Sequence, residues 1–266
     1  MTASGGFWLE FIVRAFATGA VVVAVAWAAA RLGPVLGGIL VGLPIVLAPG
    51  FFFLLRAEEP QFVAVVAGGA LYSLVATQVF LGAYIVASRG RHALVALLLA
   101  FAAWCVAALP LSALPHPPLA GAVLFAAATA AMWALGRRFL PPPQRPSSST
   151  RWLALIARGV AAGILVGVVT LAARLIGPSL AGILLAYPVG FSVILLSLNL
   201  DHGPAIAAQT AHAGLIGVTS LAAFVLALAL ALPVMPPWVA FSLSLLASVL
   251  TTAVLGLAFR RRGRLR

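Results

Sequence analysis

Apolar stretches of about 20 residues follow one another along almost the whole chain. Each is long enough to cross a hydrocarbon core about 30 Å thick at a helical rise of about 1.5 Å per residue. The stretches are continuous rather than alternating every second residue, which points to helices and away from a β-barrel. Composition agrees: 64% of the residues are hydrophobic and 8% are charged. A water-soluble domain draws about a quarter of its residues from the charged types, so this chain could not cover its own apolar surface in water. The fold class expected is all-α, a polytopic transmembrane helical bundle whose first partner is the lipid bilayer.

Breaks at glycine, proline and charge divide the chain into nine spans, near 7–30, 34–55, 61–87, 92–112, 118–138, 152–173, 178–199, 204–231 and 237–259. The first run follows MTASGGFWLEF, which has no basic residue and precedes a run too long for a signal peptide, so it is read as a mature helix. The net charge of +12 does not indicate nucleic-acid binding, because the arginines form short clusters between apolar runs rather than one stripe. That distribution is a topology signal. Arg31, Arg89, Arg91, the linker arginines and the tail RRRGRLR fall on one side, and RAEEP, ALPHPP, the Arg174 turn and LPVMPP on the other. The positive-inside rule then places the N-terminus outside and the C-terminus inside, in a bacterial inner membrane.

An internal repeat sharpens the picture. RLGPVLGGILVGLP (31–44) recurs as RLIGPSLAGILLAYP (174–188), and one offset of 144 pairs Trp8 with Trp152, Arg14 with Arg158, Gly19 with Gly163 and Pro60 with Pro204. LSALPHPP (111–118) and ALPVMPP (231–237) also correspond, but the second copy is about one helix shorter. Five spans therefore precede four, and because five is odd the second copy enters from the opposite face. That is an inverted-topology repeat, an arrangement recurrent in secondary transporters. The expected units are a first membrane repeat (1–139), a Pro/Ser/Arg-rich cytoplasmic linker (140–151), a second repeat (152–259) and a basic tail (260–266).

Few residues could carry function. Pro44 and Pro188 interrupt equivalent spans, beside Gly38 and Gly182, and proline inside a helix removes a backbone hydrogen bond and clashes with the preceding turn. Two readings follow: discontinuous helices whose half-helix ends face a solute near the midplane, or kinked helices packed without a ligand. Arg14 and Arg158 would descend from opposite surfaces toward one anionic ligand, or would snorkel to headgroups, Arg14 with Glu10 as its ion-pair partner. Gln78 in the third span and Gln209 and His212 in the eighth could line one cavity. His212 serves there either for proton coupling or as an ordinary interhelical hydrogen-bonding group. Tyr187, beside Pro188, has the same dual status, whereas Asn199, Asp201 and His202 read as a solvated turn. GILVG at 38–42 and 163–167 suits close helix contact within the fold or between protomers, which leaves a homodimer open. One cysteine, Cys105, excludes an intrachain disulfide, and the four acidic residues leave little for acid–base or metal catalysis. No metal site, cofactor or enzymatic activity is expected.

AGILLAYPVGFSVILLSLNLDHG (181–203) and GGILVGLPIVLAPGFFFLL (37–55) resemble the GL-x-P-L-x-P-T helix of the small GlpM-type inner-membrane proteins, about half as long as this chain. The likeness implies a duplicated version of such a unit. Ile45-Val46 and Val189-Gly190 stand where that family has threonine after the second proline. The function expected from these features is a secondary transporter or flippase-like carrier of a small anionic or lipid-linked solute. The alternative is a non-transporting scaffold in an envelope-biosynthesis complex.

Overall fold

A computed structural model describes residues 34–44, 47–142 and 187–264, besides isolated positions at 12–13, 16, 19–20 and 160. Within them the chain forms eight helices and no strand: α1 (Pro34–Val41), α2 (Leu47–Ala57), α3 (Pro60–Ala87), α4 (Ala93–Ser112), α5 (Pro118–Phe139), α6 (Val189–His202), α7 (Pro204–Ala231) and α8 (Pro237–Arg264). Five of them, α3, α4, α5, α7 and α8, are long and apolar enough to cross a membrane. Their bounds follow those read from the sequence, because proline opens four of the five at a position where its missing N–H costs no helical bond. The spans expected near 7–30 and 152–173, and the first part of 178–199, lie outside the described residues.

The two 28-residue helices α3 and α7 form the centre and pack against each other. Of their most apolar stretches, 61% and 67% of residues are buried, against 22%, 22% and 17% for α4, α5 and α8. The outer helices turn large apolar side chains outward, among them Leu98, Val106, Val123, Leu250 and Val254. In water such faces would drive aggregation; in lipid they are solvated, and the bundle is held by close packing and interhelical hydrogen bonds.

Contacts fix the chain directions. Tyr72 lies by Gly121, Met132 by Gly82 and Ile85 by Gly136, so α3 and α5 run the same way with α4 returning between them. Moving forward along α3, Gln78, Leu81 and Ile85 meet Leu215, Gly214 and the neighbourhood of His212, which moves backward along α7. The two central helices thus run in opposite directions. Both limits of α7 are displaced from those of α3 by 144 residues. Arg89 reaches over the Phe139 ring at 5.7 Å, and Gln209 at the start of α7 donates to the Pro142 carbonyl. Arg89, Arg91, Arg137 and Arg138 consequently share one end of the bundle, to which α8 returns its terminal arginines, while Glu58 and Glu59 lie at the start of α3, the other end.

The segment expected as one span near 34–55 is two short helices. Gly42 and Leu43 bond back three residues, to Ile39 and Leu40, and tighten the last turn of α1. Helical bonding then restarts when the Ala48 amide donates to the Pro44 carbonyl at 2.7 Å. Pro44 supplies the cause, since it has no N–H for the ladder and its ring crowds the preceding turn.

Candidate functional site

Pro44 lies between α1 and α2 and Pro188 directly before α6, and their surroundings differ. The first rests on the middle of α7. Gly38 faces Thr210, Ala213 and Gly214, and Gly42 faces Gly217 so closely that an added methyl would strike the Gly217 carbonyl. A methyl on Gly217 would in turn strike the Gly38 carbonyl and Ile39. Backbone therefore lies directly on backbone, with α1 parallel to α7. The Gly42 carbonyl, released by the interruption, accepts a hydrogen bond from the Ser220 hydroxyl. That satisfies what lipid would leave unsatisfied. Gly38 and Gly42 thus face α7 rather than open space, and Pro44 beyond them is buried.

The second break is built of rings. Pro188 has φ −77° and ψ 64°, and the Val189 amide donates to the Tyr187 carbonyl at 2.8 Å. This is an inverse γ-turn, which the fixed φ of proline favours, and α6 starts directly from it. The Tyr187 ring stands edge-to-face against Phe80 (5.9 Å between centroids), Phe101 (5.2 Å) and Trp104 (5.2 Å). Its hydroxyl lies 2.6 Å from that of Ser192, which also sits 3.1 Å from the Pro188 carbonyl. Trp104 is 1% exposed, and its indole nitrogen has no hydrogen-bond partner.

Two further groups hold α6 against α3. The Tyr84 hydroxyl donates to the Leu195 carbonyl at 3.2 Å and accepts from the Asn199 amide at 2.9 Å. The sequence reading placed Asn199 in a solvated turn; it is instead buried within α6. As the only asparagine in the chain, at the end of an apolar run, it was itself a sign that a buried partner existed, because an unpaired amide in such surroundings is costly. Tyr84 escaped the sequence reading altogether.

The remaining polar residues occupy separate places. Gln78 is fully buried between α3 and α7, its Nε2 donating to the Leu215 carbonyl at 3.0 Å and its Oε1 unpartnered. His212 stacks on Trp133 at 3.8 Å, with Nε2 3.3 Å from the Trp133 carbonyl, in the space left by Gly136. Gln209, at the arginine-bearing end, and His212 face α5, away from the Leu215 contact of Gln78. Tyr72 points to the opposite end, where its ring meets His116 edge-on at 4.8 Å. Of the residues singled out in the sequence, the structure brings Tyr187 and Pro188 together with three rings. It places Gly38 in a separate close contact on α7, with Pro44 buried at the end of that segment. Arg14, Arg158 and Gly182 lie outside the described residues. Among the described residues no group of His, Cys, Asp and Glu side chains could hold a metal ion. No family model, curated protein or solved structure matches this chain.

Proposed function

We propose that this protein is a secondary transporter or flippase-like carrier of a small anionic or lipid-linked solute, met at the interface of two inverted repeats. The observation that carries the reading is the placement of Pro44 between α1 and α2 and of Pro188 at the start of α6, 144 residues apart, beside two central helices that run in opposite directions. Interrupted helices of this kind direct their half-helix ends at a solute and provide the local freedom that alternating access requires. The opposed, equally long α3 and α7 support five spans followed by four, and the gathering of arginines at one end supports N outside and C inside in a bacterial inner membrane. Descent from a duplicated GlpM-like unit belongs to the same proposal.

The test is uptake of labelled benzoate, lactate and phosphate by proteoliposomes containing the purified chain. Pro188→Ala, which removes the ring that fixes the γ-turn, is expected to lower uptake at least tenfold while the protein remains monodisperse. Arg14→Gln and Arg158→Gln are expected to abolish it. Uptake indistinguishable from that of empty vesicles for every solute would eliminate the transport reading. The scaffold alternative draws support from the first break, which is closed by backbone contact. It predicts intact envelope-complex assembly in Pro188→Ala cells and stable co-purifying partners.

A further inference from the structure

We propose that the four rings at the Pro188 break receive the acid group of an aromatic carboxylate or phosphate, with Trp104 Nε1 donating to it once Tyr187 swings aside. The starting point is the orphan indole. Buried polar groups almost always find a partner, and an indole nitrogen can only donate. Trp104 is 1% exposed, and its Nε1 has no acceptor among the described residues. Phe101, stacked on it at 6.4 Å, offers none, and the Tyr187 hydroxyl is engaged with Ser192. Among the described residues nothing accepts from it, and a bound solute would supply the acceptor.

Everything else polar at the break favours the same kind of guest. Tyr187 and Ser192 contribute hydroxyl protons, and α6 begins at Val189 with the positive end of its dipole there. The described acidic residues are distant in the fold: Glu58 and Glu59 precede α3, and Asp201 closes α6. Phe80, Phe101 and Trp104 would hold a planar apolar body edge-on or face-on. Tyr187 is the movable part. It packs against Trp104, is only partly buried, and sits on a single γ-turn rather than inside a helix, so a rotation there uncovers the indole without unpacking α4.

The inference rests on the transport reading only in taking this break as the place where the solute is met, and it is tested by binding alone. Equilibrium dialysis of the detergent-solubilised full chain would use benzoate, phenyl phosphate and the neutral benzamide as probes. Benzoate or phenyl phosphate should bind at least tenfold more tightly than benzamide, and Trp104→Phe should remove at least tenfold of that affinity. Should Trp104→Phe fail to fold, a benzothiophene in place of the indole keeps the shape and removes only the donor. Equal binding of benzamide, undiminished binding after loss of the donor, or binding of none of the three overturns the proposal. Acid binding without vesicle uptake refutes transport and leaves this site standing; uptake unaffected by loss of the donor does the reverse.

Discussion

The breaks at Pro44 and Pro188 share a residue type and a position in the repeat, yet one is filled with backbone and the other with rings. The difference has an identifiable source. α4, which follows α3 in the chain, packs against both α3 and α6, bringing Phe101 and Trp104 to Tyr187. α7, by contrast, is followed directly by α8, and the glycines of α1 meet the backbone of α7. The same proline thus does two jobs, according to which helix is available to pack on it. A packed glycine contact fixes α1 on α7, whereas an aromatic contact leaves a ring that can turn. Backbone packing thus marks the Pro44 side, and the proposed ligand chemistry belongs to the Pro188 side.

The strongest challenge to this contrast is Gly217→Leu. The added side chain has only the backbone of Gly38 and Ile39 to displace, so a loss of about 3 kcal/mol or failure to fold is expected, read by thermal unfolding in detergent. A variant as stable as the native chain would show that the α1–α7 contact is not tight. Next comes Tyr84→Phe, which removes the acceptor of Asn199 and the donor to Leu195. A loss of about 1 kcal/mol is expected, with Asn199→Leu in the same chain recovering part of it. Leu55 and Leu228, which the sequence offset of 144 sets against Asn199 and Tyr84, are both buried. Simple additivity in that double-mutant cycle would mean the two groups do not communicate. The smallest effects separate the breaks most finely. Ser220→Ala should cost about 0.6 kcal/mol of stability and leave solute uptake unchanged, because its hydroxyl serves a backbone carbonyl. Ser192→Ala should barely change stability but lower uptake severalfold, because its partner is the movable Tyr187. Identical behaviour of the two serine variants would erase the distinction.

Much of the scaffold was legible in the sequence. Spans bounded by proline and charge became α3, α4, α5, α7 and α8, and the interruption at Pro44 follows from what proline does to a backbone ladder. What the sequence could not show is which side of each helix meets which neighbour. A helix apolar all round has no amphipathic stripe to mark its inner face. Gln78 and Gln209 consequently looked like lining for one cavity, whereas the structure turns the first toward α7 and the second toward the segment after α5. Asn199 misled for a related reason: NLDHG resembles a turn, and only the tertiary position of Tyr84 reveals a buried pair. The ring cluster joins residues 80, 101, 104 and 187 from three separate segments, and no local pattern announces it.

Gly203, with φ at 87°, is the single residue that joins α6 to α7. So short a joint has no slack, and few residues other than glycine adopt that conformation readily. The turn folds α6 back along α7 until Phe191 meets Gly214, where Gly38 of α1 also lands, so two separate segments of the chain are seated on the same stretch of one central helix.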